Sequence, residues 1–155
     1  MKYYFRYSKN DEGRLVARCL NLHACKAAGG TLQELKSNAR AAVTDYLTVP
    51  PANYLYPATY RVDVASMCDR LGISVDVVFG ITLAPGVAFA IELRRERTNA
   101  KLHQHEMAKL LGLRSLSAYQ RFEDPLRANP TLKTVAKIKA ILPGLDVSNA
   151  FERDP

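Results

Sequence analysis

The sequence has few cysteines, no long apolar run and no leader-like N-terminus. Its three cysteines are an odd number without the spacing of a disulfide framework, which favours a reducing compartment over secretion. The longest apolar run, at 77–91, contains a proline and a glycine and falls short of the roughly 20 residues that a membrane-spanning helix needs. The N-terminal residues MKYYFRYSK lack the apolar core of a signal peptide. These absences predict a cytoplasmic protein with no membrane segment.

Motifs that carry enzyme chemistry are also missing. No phosphate-binding P-loop, nucleophile elbow or H-E-x-x-H zinc motif occurs in the sequence. Cys19, His23 and Cys25 lie close together, but no further Cys or His pair completes a four-ligand zinc set. His103 and His105, like His23, are better explained as surface or cap residues than as catalytic bases. We therefore expect no cofactor, no metal and no catalytic residue.

The sequence does have an excess of positive charge and an ordinary apolar content. Its 155 residues are 48% hydrophobic and 24% charged, which suffices for one good core or two small ones. The formal net charge is +7 and the pI is near 9.5. Such a charge favours a polyanionic partner, although many basic proteins never bind nucleic acid.

The N-terminal part begins with strand patterns and continues with a helical one. Residues 2–8 and 14–20 predict a hairpin across the intervening NDEG turn, and residues 25–28 predict a third short strand. Thr31 begins a helix as its N-cap, and Glu34 forms a capping box with it. The apolar stripe that this helix lays on the sheet is Leu32, Leu35, Ala39, Ala42, Val43, Tyr46 and Leu47.

The middle of the chain predicts a linker, a helix and a fourth strand. The proline-rich residues 50–57 predict an extended linker. The segment 58–72 favours a short helix that ends at its final glycine, with a partial strand as the alternative. Alternation at period two over 73–83 predicts a strand that completes a small sheet, with its odd-numbered residues inward. The sequence thus predicts an α+β domain over residues 1–84 and an all-α domain over residues 85–155.

The C-terminal part predicts helices separated by a glycine corner. A helix begins at Pro85, has Val87, Ala90, Ile91 and Leu93 on or beside one face, and ends in an arginine-rich turn. A helix over 104–111 is followed by Gly112, whose left-handed conformation turns the chain, and Ser115 caps the next helix. A further helix is predicted within 129–142. Its core stripe is Leu132, Val135, Ile138 and Leu142.

The two helices around the glycine have the layout of a helix-turn-helix, whose second helix presents short polar side chains and arginine to the DNA major groove. A helical bundle with a solvated polar face is the alternative, since a glycine between amphipathic helices is common in bundles. The predicted DNA-binding residues are Gln104, Arg114, Ser115, Ser117, Gln120, Arg121 and Lys133. The cations predicted to form a phosphate footprint are Arg94, Arg95, Arg97, Lys101, Lys109, Arg114 and Arg121.

Both halves of the chain resemble one known family, the HicB antitoxins of bacterial toxin–antitoxin pairs. The N-terminal half is similar to the HicB domain in MKYYFRYSKNDEGRLVARCLNLHAC and GGTLQELKSNARAAVTDYL. The C-terminal half is similar to the family's Cro/repressor-type helix-turn-helix in AFAIELRRERTNAKLHQHEMAKLLGLRSLSAYQRFED and NPTLKTVAKIKAILP. The similarity covers the chain except for about residues 52–75. The family motif falls on Gln104, Ala108, Gly112, Ser117, Tyr119, Gln120 and Arg121.

The resemblance implies both a fold and a function. The N-terminal half is then a partial ribonuclease H-like β-β-β-α-β domain that masks a small basic HicA-like toxin. That toxin is an RNA-cleaving protein of double-stranded-RNA-binding-like fold with a catalytic histidine. The C-terminal half is then the DNA-binding domain with which the antitoxin, as a dimer, tetramer or other oligomer, represses its own operon. Two departures are His23 and Ala24 in place of a proline and a glycine, and a longer segment at 58–72.

The acidic residues bear on whether a ribonuclease H-like half is itself a nuclease. Two-metal hydrolysis needs several carboxylates that converge from strands and a helix. Residues 1–57 offer only Asp11 and Glu12 in a turn, and Glu34 and Asp45 on a helix. We therefore expect a non-enzymatic antitoxin and autorepressor. The alternative is a one-component transcriptional regulator whose N-terminal domain senses a ligand or another protein.

Overall fold

The computed structural model describes residues 1–22, 24–48 and 63–148. These residues form a mixed α/β structure with a four-stranded antiparallel sheet and six α-helices. The strands are β1 (Lys2–Lys9), β2 (Leu15–Cys19), β3 (Lys26–Gly29) and β4 (Val78–Thr82). The helices are α1 (Leu32–Thr48), α2 (Val64–Leu71), α3 (Pro85–Asn99), α4 (Gln104–Leu110), α5 (Leu116–Glu123) and α6 (Leu132–Ile141). His23, the predicted linker at 50–57 and the first part of 58–72 lie outside the described residues.

The described residues divide into two compact units. Unit 1 contains residues 1–22, 24–48 and 63–83, and unit 2 contains residues 84–148. All four strands belong to unit 1 together with α1 and α2, whereas α3 to α6 belong to unit 2. None of the described helices combines the length and the apolar character that crossing a bilayer requires.

The predicted hairpin and third strand are confirmed. β1 and β2 pair antiparallel, and β3 pairs antiparallel with the other side of β2. In the turn between β1 and β2, the Asn10 side chain accepts a hydrogen bond from the Arg14 amide at 2.8 Å. Gly13 has φ +76°, a conformation that residues with a side chain rarely adopt. The polar side chain and the glycine together form the tight turn that the NDEG segment predicts.

The core of unit 1 lies between the sheet and α1. The sheet has the order β3-β2-β1-β4. Its buried apolar side chains are Tyr3, Phe5, Ala17, Cys19, Phe79 and Ile81. The buried residues of α1 are Leu35, Ala39, Val43 and Leu47, whereas Leu32 of the predicted stripe is 40% exposed. A Cβ atom on Gly29 would lie 2.6 Å from the Leu35 backbone nitrogen, so the missing side chain lets α1 approach the sheet closely.

The N-terminus of α1 has a variant of the predicted capping box. The Thr31 hydroxyl accepts a hydrogen bond from the Glu34 amide at 3.1 Å, as predicted. The Glu34 carboxylate accepts a hydrogen bond from the Gly30 amide at 2.7 Å, one residue earlier than a capping box requires. The helix therefore begins where the sequence predicts, with one of the two partners displaced.

α2 confirms the helix favoured for the segment before β4. The Asp63 side chain accepts a hydrogen bond from the Ala65 amide at 3.1 Å and caps the N-terminus. At the C-terminus, Gly72 has φ +62° and its amide donates to the Asp69 carbonyl at 3.2 Å. The helix ends at the predicted glycine because only that residue adopts a left-handed conformation without strain.

The strand predicted over 73–83 is shorter than expected. A 3-10 helix occupies Val75–Val77, and β4 begins one residue later. The Ser74 side chain accepts a hydrogen bond from the Asp76 amide at 3.3 Å, so a local turn replaces the extended strand. Val75, predicted to face inward, is 55% exposed. The alternation of apolar residues is therefore a correct guide to β4 but not to its start.

α3 is the most buried of the helices described in unit 2. Pro85 occupies the first helical position, as predicted. The seven consecutive residues 87–93 are all buried, so the helix is covered around its circumference and not along one stripe. A Cβ atom on Gly86 would lie 2.5 Å from the Ala128 carbonyl oxygen, which shows that the loop before α6 packs directly on the start of α3.

α6 confirms the predicted last helix but not its whole core stripe. The Thr131 hydroxyl caps the helix by accepting a hydrogen bond from the Thr134 amide at 3.2 Å. Ile138 and Leu142 are buried, whereas Leu132 is 82% exposed at the first helical position. The buried stripe therefore begins later in the helix than predicted.

Candidate functional site

Two short helices and a corner contain most of the predicted DNA-binding residues. In α4, Met107 and Ala108 are buried. Gly112 has φ +67°, so the chain turns through the predicted left-handed conformation. Ser115 then caps α5 by accepting a hydrogen bond from the Ala118 amide at 3.2 Å. The corner and the cap predicted from the sequence are both confirmed.

The two sides of α5 differ in exposure and chemistry. Tyr119 and Glu123 are buried. Ser117, Gln120 and Arg121 are exposed. The exposed side chains are a hydroxyl, an amide and a guanidinium, which are groups that hydrogen-bond to base edges and phosphates. α5 thus has one packed side and one polar side.

The Glu123 carboxylate is a buried centre that joins three helices. Arg97 of α3 donates to it from Nε at 2.5 Å and from Nη2 at 3.1 Å. Gln104 of α4 donates from Nε2 at 2.8 Å, and Tyr119 of α5 donates from its hydroxyl at 2.7 Å. The Nε atom of Arg94 lies 3.5 Å from the same carboxylate. We call these five residues the Glu123 cluster.

Burial and hydrogen bonding act in opposite directions on the pKa of Glu123. Burial raises the pKa of the carboxyl group, because it disfavours the charged form. Hydrogen bonds from Arg97, Gln104 and Tyr119, together with the positive charge of Arg97, outweigh burial, so the net pKa is below its ordinary value. Burial and the neighbouring carboxylate raise the pKa of Tyr119. The cluster therefore holds a charged carboxylate beside a neutral phenol.

Gln104 links the Glu123 cluster to the exposed side of α5. Its Nε2 atom donates to Glu123, and its Oε1 atom accepts a hydrogen bond from Nε2 of Gln120 at 3.2 Å. One amide serves both neighbours because it has a donor end and an acceptor end. A chain of two hydrogen bonds, from buried Glu123 through Gln104, therefore orients the side chain of Gln120 at the surface.

The three arginines of α3 form ion pairs inside unit 2. Arg94 and Arg97 pair with Glu123, and Arg95 pairs with two glutamates of its own helix at 2.6 and 3.3 Å. The three side chains are at most 20% exposed. Their prediction as part of a phosphate footprint is corrected, because their guanidinium groups hold α3 together and bind it to α5. The exposed cations of the predicted footprint are Lys101, Lys109, Arg114 and Arg121.

Two contacts bring predicted DNA-binding residues together. Gln104 contacts Gln120, and the hydroxyl oxygens of Ser115 and Ser117 lie 3.0 Å apart. Ser115 is also the N-cap of α5, so its hydroxyl already serves the helix. The remaining predicted residues are exposed, with Arg114 before α5, Arg121 within α5 and Lys133 on α6.

Glu123 is the functional-site residue that sequence reasoning missed. It follows Tyr119 by four residues, so the two side chains share one face of α5. An acid on the packed face of a helix is rarely buried unless it is paired. That spacing, with three arginines in the preceding helix, was the available signal.

The cysteines do not form a metal centre in the described part of the chain. Those residues contain no group of three or more His, Cys, Asp or Glu side chains placed to hold an ion. Cys19 and Cys25 are buried free thiols. Burial raises the pKa of both, that of Cys25 to about 12, so both stay protonated. His23, the third residue considered as a ligand, is not among the described residues.

Comparison of the chain with protein-family models finds no match, and comparison with curated proteins finds none either. The candidate site consists of α4, α5 and the Glu123 cluster.

Proposed function

We propose that this chain is a HicB-type antitoxin. It masks a small HicA-like ribonuclease toxin through residues 1–84 and represses its own operon through residues 85–155. In this proposal α4 and α5 are a helix-turn-helix, and α5 enters the major groove of operator DNA. The observation that carries the proposal is the contact between Gln104 and Gln120, which aligns two predicted DNA-binding residues on one surface.

The packing of α5 supports its use as a recognition helix. Tyr119 and Glu123 hold one side of the helix in unit 2, which leaves the other side for a ligand. A firmly held helix is an advantage because base readout needs donors and acceptors at hydrogen-bonding distance. The Gln120 amide can pair with adenine, and the Arg121 guanidinium can pair with guanine or with phosphate.

Exposed cations near α5 suit the DNA backbone. Lys109 lies in the last turn of α4, Arg114 lies in the turn before α5, and Lys133 lies in the first turn of α6. Phosphate contacts of this kind fix the position of a protein on a duplex and carry no sequence information. In this proposal these three residues position the protein while α5 reads the bases.

The family resemblance and the order of elements support the antitoxin role of the N-terminal half. β1, β2, β3, α1 and β4 follow the implied β-β-β-α-β order, with α2 inserted before β4. The four strands contain no Asp or Glu, so the sheet itself supplies no carboxylate ligands for two-metal hydrolysis. We infer that this half acts by covering the active surface of the toxin, with no chemistry of its own.

Operator binding is tested by mobility shift with promoter fragments of the chain's own operon in dilute buffer. If the guanidinium reads a base, Arg121→Ala should reduce the free energy of operator binding by about 1 to 3 kcal/mol and should relax the base preference at one operator position. It should weaken binding to all sequences alike if the guanidinium meets phosphate. Arg127→Ala is the matched control, because Arg127 lies beyond α5 with its side chain 71% exposed. Wild-type protein that ignores the promoter at low salt would refute the repressor role.

Toxin binding is tested by co-expression with the product of the small open reading frame beside the gene. The proposal expects a small basic protein that co-purifies with this chain and loses its RNA-cleaving activity in the complex. A one-component regulator predicts neither the neighbouring gene nor the partner. Promoter binding without either of them would therefore favour that alternative.

A further inference from the structure

The face of the unit 1 sheet that points away from α1 carries a row of three cations. Arg6 of β1 lies directly opposite Arg18 of β2, and Arg18 lies directly opposite Lys26 of β3. All three residues are exposed. Because side chains alternate between the faces of a sheet, the row lies on the face opposite the buried Phe5 and Cys19. We call these three residues the cation row.

The positive charges of the cation row are not neutralised within the described residues. None of the three side chains makes an ion pair there, and the four strands contain no Asp or Glu. Like charges placed directly opposite each other across strands destabilise a sheet. The arginines of α3 differ, since each of them is paired. An unpaired row of this kind indicates a ligand of opposite charge.

The cation row lies in a groove of about 1160 Å³. Apolar side chains line the groove beside the cations, among them Val16 and Ala28 of the sheet and Leu71 and Ile73 at the end of α2. The groove exceeds the roughly 300 to 1,000 Å³ that is typical of small-molecule sites. Its size suits a segment of a polymer.

We propose that this groove binds single-stranded RNA, with the sugar–phosphate backbone along the cation row and the bases against the apolar side chains. Neighbouring strands are about 4.8 Å apart, so the row spans about 10 Å, which about two to three successive phosphates cover. The guanidinium forks of Arg6 and Arg18 match phosphate oxygens in pairs. Unpaired bases have free apolar faces that can lie against Leu71 and Ile73.

Two other polyanions match the groove less well. An extended acidic peptide offers carboxylates about every 6.8 Å on one side but leaves the apolar side chains of the groove unused. Such a peptide also gains most of its affinity at a sheet edge, where its backbone pairs, and not on a sheet face. Duplex DNA stacks its bases on one another and leaves the apolar side chains unused. RNA is the nucleic acid that carries long unpaired segments, so RNA is the occupant proposed.

The test is fluorescence anisotropy of a labelled oligouridine RNA with the full chain. Three phosphate contacts give a log–log salt slope of about −2, so affinity should fall about 20-fold between 50 and 200 mM salt. Arg18→Glu should weaken binding by at least about tenfold, because it reverses the central charge of the row. The variant should keep its fold, since the new carboxylate lies between two cations. Lys36→Glu has the same charge change at an exposed position of α1 and is the matched control.

Several results would overturn the proposal. One is the absence of RNA binding at low salt. Another is an equal loss of RNA affinity in Arg18→Glu and in Lys36→Glu. Displacement of the RNA by oligoglutamate at equal charge would assign the groove to an acidic peptide. If Arg18→Glu weakens the binding of duplex DNA more than the binding of RNA, the groove is a duplex site. If the protein binds single-stranded DNA more tightly than RNA, RNA is excluded as the occupant.

The RNA proposal and the operator proposal fail separately. Arg121→Ala changes α5 and should leave RNA binding unchanged. Arg18→Glu changes the groove and should weaken RNA binding. RNA binding that falls with Arg121→Ala but not with Arg18→Glu would place the RNA on α5 and refute the groove. Promoter binding that is lost while RNA binding persists would refute the repressor role alone.

Discussion

Replacement of Glu123 by glutamine tests whether the buried carboxylate holds unit 2 together. The substitution keeps the shape of the side chain, removes its charge and turns one acceptor oxygen into a donating amide. In either orientation of the amide, Glu123→Gln sets donor against donor at Arg97. Gln104 also meets donor against donor when Oε2 is replaced, whereas the Tyr119 hydroxyl can turn to accept from the new amide when Oε1 is replaced. No rotation of the new side chain satisfies all of these groups.

The expected loss is about 3 to 5 kcal/mol in the free energy of unfolding of unit 2, because one partner of a buried ion pair is left without the other. Solvent does not screen the pair, since the side chains of Glu123 and Arg97 are 1% and 14% exposed. Domains are typically stable by about 5 to 15 kcal/mol, so the loss is a large fraction of the total. Tyr119→Phe removes a single hydrogen bond to a charged group and should cost about 1.5 to 3 kcal/mol.

Amide hydrogen exchange on the full chain is the appropriate assay, because it reports each unit separately. Amides of α4 and α5 should lose protection in Glu123→Gln, while amides of β1 and β2 should keep theirs. Asp124→Asn is the matched control. Asp124 pairs with Arg127 at the surface, where the two side chains are 36% and 71% exposed. That pair should contribute no more than about 1 kcal/mol.

Two outcomes would show that the reasoning about Glu123 is wrong. One is a loss of less than about 1 kcal/mol in Glu123→Gln, which is the range of an exposed ion pair. The other is an equal loss of protection in the strands of unit 1, which would mean that the effect is not local to the cluster.

Three further predictions concern acid, packing and charge. The folded-state pKa of Glu123 is lowered, so its contribution to stability is complete above the unfolded-state pKa and is lost as pH falls through the folded-state pKa. Acid unfolding of unit 2, followed by circular dichroism, should therefore depend less on pH in Glu123→Gln. Gly29→Ala places a Cβ atom 2.6 Å from the Leu35 backbone nitrogen and should lower stability by about 1 to 3 kcal/mol in urea unfolding; an unchanged midpoint would contradict the close packing. Arg18→Glu should raise the stability of unit 1 by up to about 1 kcal/mol, because it places opposite charges across the strands. A lower melting temperature for that variant would show that the row is not a source of repulsion.

Local signals made most of the fold predictable from sequence. The NDEG turn, the Thr31 cap, Gly72 and Gly112 each act within a few residues, and each lies where it was predicted. Such signals depend on the backbone conformation of one residue or on one short hydrogen bond. They are therefore independent of what packs against them.

The errors occurred where a periodic pattern competed with a local hydrogen bond or with tertiary packing. Ser74 stabilises a 3-10 turn in a segment that alternates as a strand does, and Val75 is exposed as a result. Leu132 fits the helical period of α6 and yet is exposed, because the period does not say where the covering elements end. The periodic pattern of α3 likewise did not predict that residues 87–93 are buried all round.

The candidate site was predictable in outline and not in its connections. The exposure of Ser117, Gln120 and Arg121 agrees with the helical spacing of α5. The use of the α3 arginines inside unit 2 could not be read from their number, since a count of cations does not show which of them are paired. Whether the exposed residues bind DNA, and whether the chain belongs to the HicB antitoxins, stay predictions.

The position of Glu123 at the C-terminal end of α5 has a consequence for synthesis of the chain. Its partners Arg94, Arg97 and Gln104 precede it by 29, 26 and 19 residues, so a ribosome makes three donors before it makes their acceptor. α4 and α5 have seven and eight residues, well below the roughly 12 to 15 residues at which an isolated helix is even marginally stable in water. The hydrogen bonds of the Glu123 cluster can therefore form only after the whole of α5 has been synthesised.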